Sequence, residues 1–147
     1  SYSTLSTELK QDQIEFLTSA PSSVECYFGS KSYLVAHGSP WDLNQYVYPD
    51  SNNEIWDKFV DYPQDIFILG NTHHQMLKRY KGKTIINPGS VGQSRTDIGH
   101  AQWAEIDIEK LSITFHSTKY DTSELLSKCH KLDSGNKLLT KHLEVKN

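Results

Sequence analysis

Long hydrophobic runs are missing from this 147-residue chain: the longest, Ile66 to Leu69, is four residues, far short of the roughly 20 that a membrane-spanning helix needs. Cysteine is scarce. Cys26 and Cys129 are the only two and have no CxxC spacing, which excludes a disulfide scaffold and leads us to expect a reducing compartment. Charge of one sign is lacking too. With 15 basic against 18 acidic residues and a net charge of -3, the chain has no overall field to hold nucleic acid as a stable partner or to bind an anionic membrane. It has no Asn-x-Ser/Thr acceptor, and Ser1 to Lys10 contains no apolar signal core, so the cytoplasm is the expected location. Methionine occurs once, at Met76, while the chain opens at Ser1; translation is expected to begin further upstream.

What is present fits one domain spanning residues 1–147. Hydrophobic residues reach only 36% and mean hydropathy is -0.60, which points to a shallow core or to a partner covering one face. Leu9, Ile14, Phe16 and Leu17 form an apolar stripe behind Ser6-Thr7 and ahead of Pro21, predicting a helix over Thr7 to Ser19. Val24–Phe28 and Ser32–Ala36 flank Gly29-Ser30 as a hairpin. Asn44 to Asp61 predicts a bridging helix with Ile55, Trp56, Phe59 and Val60 on its buried face. Asp65 to Gly70 reads as a strand buried on both faces, completing a β-α-β unit whose two strands are parallel neighbours. Gln75–Tyr80 and Lys83–Asn87 around Lys81-Gly82 predict a second hairpin, and Trp103–Ile108 with Leu111–Phe115 a third. Asp121 and Glu124 suggest a capping box opening a helix that buries Leu125, Leu126, Cys129 and Leu132. Leu138 to Leu143 is expected to continue as helix.

Three segments follow predicted strands directly: Val35-Ala36-His37-Gly38-Ser39-Pro40, Gly70-Asn71-Thr72-His73-His74, and Asn87-Pro88-Gly89-Ser90-Val91-Gly92-Gln93-Ser94-Arg95. Ligand sites of open α/β sheets lie beyond the carboxyl ends of strands, where parallel neighbours would bring His37, Asn71 and His73 together. Neutral imidazoles suit transition metals, and an amide oxygen suits a harder ion such as Mn or Mg. The Asn87–Gly92 loop could aim backbone N–H groups at an anion or at that site, and Arg95 offers a fork of donors matched to phosphate. His74, His100, His116, His130 and His142 lack such companions.

In this order and near these spacings, the three segments resemble the calcineurin-like metallophosphoesterase superfamily, and within it a small single-domain bacterial and archaeal phosphodiesterase branch. The resemblance spans about residues 5 to 120. It implies an α/β fold, a four-layer αββα sandwich with mixed sheets, and a dinuclear metal centre whose bridging hydroxide attacks a phosphoester in line. It implies two divalent ions, Mn first, with Mg, Fe, Zn and Ni as the other options. His37 would then bind the second metal and His73 the first. Asn71 stands where the family's Gly-His-Thr-His motif has its first histidine, a departure at a ligand. Asn87, Gly89, Ser90 and Arg95 would face the phosphate or substrate. The family's Asp-x-His, Gly-Asp-x-x-Asp and Gly-Asn-His-Asp/Glu segments have no counterpart before His37. The chain is therefore expected to be the carboxyl-terminal portion of such a domain.

Two functions follow from the resemblance. One is a phosphatase or phosphodiesterase acting on a small phosphoester and incomplete in this chain. Its site would be finished by a missing amino-terminal half, a second chain or a homo-oligomer. The other is a degenerate, non-catalytic module of the same fold that binds protein partners, as a retromer subunit of this fold does. Asn71 favours the second, and the retained His37, His73 and Asn-Pro-Gly-Ser loop favour the first.

Overall fold

A computed structural model describes residues 8–132 together with Thr140 and Leu143. The order is α1 (Gln11–Ser19), β1 (Ser23–Phe28), β2 (Lys31–Ala36), α2 (Asn53–Val60), β3 (Ile66–Leu69), β4 (Gln75–Tyr80), β5 (Lys83–Pro88), β6 (His100–Asp107), β7 (Ser112–Lys119) and α3 (Ser123–Leu132). Five strands make one mixed sheet in the order β1-β2-β3-β5-β4, and β6 and β7 make a two-stranded sheet. The inner strands β2, β3 and β5 run parallel, with Leu34 opposite Phe67 and Phe67 opposite Ile85. The parallel pairing of β2 with β3 is the one the crossover predicted.

Because side chains alternate along a strand, the large sheet feeds two cores. Leu34, Phe67 and Ile85 turn to one face, where Trp56 and Phe59 of α2 pack on them with Val47 and Met76. Tyr33, Ile66 and Ile86 turn to the other, against Ile106, Ile113 and Phe115 of the small sheet. The layer order is thus helix, sheet, sheet, a mixed α/β architecture. Gln75 ties the two sheets together: its amide nitrogen lies 3.2 Å from the Pro88 carbonyl, 3.1 Å from that of Trp103 and 2.9 Å from that of His116.

The helices depart from expectation. α1 starts at Gln11, with Lys10 N–H donating to the Gln13 side chain at 2.9 Å, while Ser6 and Thr7 lie outside the described residues. None of its residues is buried: Ile14 is half-buried and Phe16 is 76% exposed. The predicted helix over Asn44–Asp61 shrinks to α2. Asn52 caps it by accepting from Ile55 N–H at 3.2 Å, and a turn precedes it in which Tyr48 N–H donates to Ser51 Oγ at 2.9 Å. The Trp103–Ile108 and Leu111–Phe115 hairpin forms but is longer at its outer ends, from His100 to Lys119. α3 buries none of the four residues expected of it: Leu126 and Cys129 are half-buried, Leu125 is exposed, and Leu132 is 86% exposed. Its Asp121 accepts from Ser123 N–H at 2.9 Å rather than closing a reciprocal box with Glu124. Of the tail predicted as helix, only Thr140 and Leu143 are described; both are buried, and Thr122 Oγ1 donates to the Leu143 carbonyl at 3.1 Å. Among the described residues no helix is long and apolar enough to cross a membrane.

Candidate metal centre and phosphate site

The site grows from the carboxyl ends of β2, β3 and β5. β2 delivers His37, and Gly70 N–H donates to the His37 carbonyl at 2.8 Å, so the loops after β2 and β3 leave the sheet side by side. Gly38 follows at once because a Cβ there would collide with the Leu43 carbonyl. Past β3 the backbone takes two left-handed steps at non-glycine residues, Asn71 at φ 62° and His73 at φ 59°. Such conformations are uncommon outside glycine and concentrate at functional sites. These steps bend the loop so that Asn71 and His73 both face the opening above the sheet.

His37, Asn71, His73, Gly89 and Ser90 border one depression of about 370 Å³. Asn71 and His73 also border an adjoining cleft of about 390 Å³ that reaches Arg95. Most residues singled out in the sequence are therefore neighbours. Asn87 lies apart from them, beneath the loops. It is fully buried, donates to the Gly70 carbonyl at 2.6 Å and to Thr72 Oγ1 at 3.0 Å, and accepts from Gly89 N–H at 3.0 Å. Its side chain thereby locks the loops after β3 and β5 to each other. Gly89 sits at φ +91°, where a Cβ would lie 2.8 Å from both Gln102 and Gln75 side-chain carbons, so only glycine fits this turn.

The imidazole of His73 is oriented by one backbone carbonyl. Its Nδ1 lies 3.0 Å from the Gln93 carbonyl; a carbonyl only accepts, so Nδ1 carries a proton, and in the neutral ring the lone pair is on Nε2. Metal-ligating histidines are characteristically held this way. Asn71 Nδ2 is directed at the Leu43 carbonyl at 3.5 Å, which leaves Oδ1 as the donor atom for a cation. These residues fit a divalent ion as ligands, but two imidazoles and one amide oxygen bring no negative charge. Among the described residues no three His, Cys, Asp or Glu side chains come together.

Sequence reasoning missed three participants. Gln102 is buried and accepts from Ser94 Oγ at 2.9 Å, while its backbone N–H donates to the Ser90 carbonyl at 3.1 Å, stapling the loop after β5 to β6. Tyr46 and Tyr48 line the cleft beside Arg95. Their alternation with the apolar Val47 was the available signal. His74, set aside from the sequence, turns its Nδ1 to the Thr72 carbonyl at 2.8 Å.

A mixed sheet with loops of this chemistry at its carboxyl edge defines a metallophosphoesterase-type fold. The chain belongs to the calcineurin-like phosphoesterase superfamily, whose domain model matches residues 7–110. It is similar to an uncharacterized protein of Methanocaldococcus jannaschii, at 24% identity over 84% of this chain and 56% of that one. Among solved structures it resembles a hypothetical protein of Pyrococcus horikoshii, with a TM-score of 0.80 and 19% identity over 93% of this chain and 55% of that one. It also resembles a metallophosphoesterase of Sphaerobacter thermophilus, with a TM-score of 0.77 and 23% identity over 93% of this chain and 62% of that one. The chain spans about half the length of the relatives it matches.

Proposed function

We propose that this chain is the carboxyl-terminal portion of a metal-dependent phosphoesterase, a phosphatase or phosphodiesterase working on a small phosphoester with Mn as the preferred ion. The observation that carries the reading is the convergence of His37, Asn71 and His73 on one depression, with the His73 tautomer set for ligation by Gln93. A bound divalent metal pair supplies an activated water and offsets charge on the phosphoryl oxygens. Within this chain, His73 and His37 act as ligands, Asn71 offers an oxygen, and Asn87 and Gln102 hold the loops in register. Ser90, at the rim, and Arg95, in the adjoining cleft, bind the phosphoryl oxygens. The free thiols of Cys26 and Cys129 support cytoplasmic operation.

In a complete protein containing this chain, Mn-dependent hydrolysis of an aryl phosphodiester is expected, and His73→Ala should lower kcat by roughly 100-fold or more, since even the partners of ligands contribute 10- to 100-fold. Asn71→His should raise activity. One observation favours a second reading, a non-catalytic module that docks a protein: an amide stands where the family carries a ligand imidazole. A complete protein that shows no metal-dependent turnover, with or without Asn71→His, would establish that reading and overturn the first.

A further inference from the structure

Beside the metal-ligand candidates lies the cleft that holds Arg95, and its aromatic wall is a feature the phosphoester reading leaves unused. Tyr46, Tyr48, His74 and Arg95 line it with Asn71, Thr72 and His73, and no carboxylate enters the lining. The two tyrosine rings stand nearly parallel, 11° apart with centroids at 6.0 Å, and His74 meets Tyr48 edge-on at 5.4 Å. Both phenols are exposed, Tyr46 at 52% and Tyr48 at 38%, whereas Val47 between them is 3% exposed.

That alternation is the device. In extended backbone, residues i and i+2 share a side; burying Val47 in the α2 core therefore presents Tyr46 and Tyr48 together. The turn closed by Tyr48 and Ser51, with N–H to Oγ at 2.9 Å and Ser51 N–H to the Tyr48 carbonyl at 3.0 Å, holds the platform. Across the cleft, Arg95 N–H donates to the His73 carbonyl at 3.2 Å, which sets the guanidinium's stem beside the ligand candidate.

We propose that this cleft binds the nucleobase of a nucleoside phosphate, with Tyr46 and Tyr48 as the stacking platform and Arg95 on the phosphate. An aromatic face and a cation flanking one end of a phosphoester site match a ligand with a flat π-system at one end and a phosphoester at the other. The inference rests on the site being a phosphoester site, and it narrows the substrate class to nucleotides. Stacking is sequence-tolerant, so purines and pyrimidines both enter, purines more tightly.

The test is a binding titration of the 147-residue chain followed by NMR of the tyrosine ring resonances in the presence of EDTA, with AMP, ribose 5-phosphate and inorganic phosphate as probes. AMP should bind at least about 10-fold more tightly than ribose 5-phosphate, since base stacking contributes about 5- to 150-fold per base. Tyr46→Ala and Tyr48→Ala, both at exposed positions, should remove that preference with the far-ultraviolet dichroism unchanged. Arg95→Ala should weaken AMP and ribose 5-phosphate equally. Equal affinity for the two probes, no binding of AMP, or a preference that survives both tyrosine substitutions overturns the inference. Because no metal is present, the result stands apart from catalysis. A base preference without turnover in the complete protein defeats the phosphoesterase reading alone, and turnover without a base preference defeats this inference alone.

Discussion

Asn87 and Asp65 show how single polar side chains fix this fold. Asn87 could be picked out of the sequence as part of a loop string, but its job could not: in a string, an asparagine at a ligand and an asparagine buried beneath one look alike. Its burial follows from the parallel register that sets β5 beside β3, a tertiary fact. The left-handed steps at Asn71 and His73 were equally invisible, since neither residue type demands them. Asp65 works at the opposite end of the sheet. Its carboxylate accepts from Ser32 N–H at 3.0 Å and Ser32 Oγ at 2.9 Å, and it pairs with Lys31 at 3.3 Å. The Ser32 backbone N–H first, and then its hydroxyl, hold the carboxyl below its ordinary value of 3.8. A carboxylate whose folded pKa is depressed stabilises the fold above the unfolded value, and that contribution disappears as pH falls through the folded one. Asp65→Asn should therefore flatten the loss of stability below about pH 4, read as urea midpoints from pH 7 down to pH 3. Asp57, Asp107 and Asp121 are also lowered, so a residual slope remains. An unchanged slope would show that Asp65 titrates alike in both states.

At the scale of elements, the hairpins were legible because their turns are written in residues: Gly29 takes φ 59° and Gly82 φ 84° at the two tight turns. The helices were half legible. Their apolar stripes showed on paper, but a stripe predicts burial only if a partner lies against it, and α1 and α3 bury none of theirs fully. α2 was overextended because the spacing at Ile55, Trp56, Phe59 and Val60 says nothing of where a helix begins; Asn52 settles that. The link between the sheets was not legible at all. Gln75 opens β4 as one polar residue among many, yet it reaches carbonyls on β5, β6 and β7. Leaving a partly buried carbonyl unpaired costs about 1–3 kcal/mol. Gln75→Ala should thus destabilise the protein by about 2 kcal/mol and loosen β6–β7 selectively. Hydrogen exchange should accelerate at Gln102 and Trp103 ahead of Phe67 and Ile68. Uniform acceleration along the chain would mean that Gln75 stabilises the fold without coupling the two sheets.

For the molecule as a whole, the decisive count is of charges at the candidate site. Two dications about 4 Å apart repel with four times the energy of a unit pair, which is itself about 4 kcal/mol at an effective dielectric of 20. Bridging carboxylates ordinarily offset that repulsion. Here the candidate ligands are His37, Asn71 and His73, which include no carboxylate, and no cluster of three His, Cys, Asp or Glu side chains forms among the described residues. The chain also spans about half the length of its relatives, so ligands that complete the pair have room to come from elsewhere in a longer protein or from a second copy. The 147-residue chain on its own should consequently bind Mn weakly and at no more than one ion per chain in a calorimetric titration. His37→Ala and His73→Ala should each abolish the binding. The same chain should show no Mn-dependent hydrolysis of a generic aryl phosphodiester, because the in-line attack needs charge neutralised at both the entering and leaving oxygens. Two ions per chain, or turnover that chelation and His73→Ala both remove, would contradict the count. Carboxylates such as Asp42, Asp97 or those of a second copy would then have to close the site, and concentration dependence of the turnover would separate the last of these from the first two.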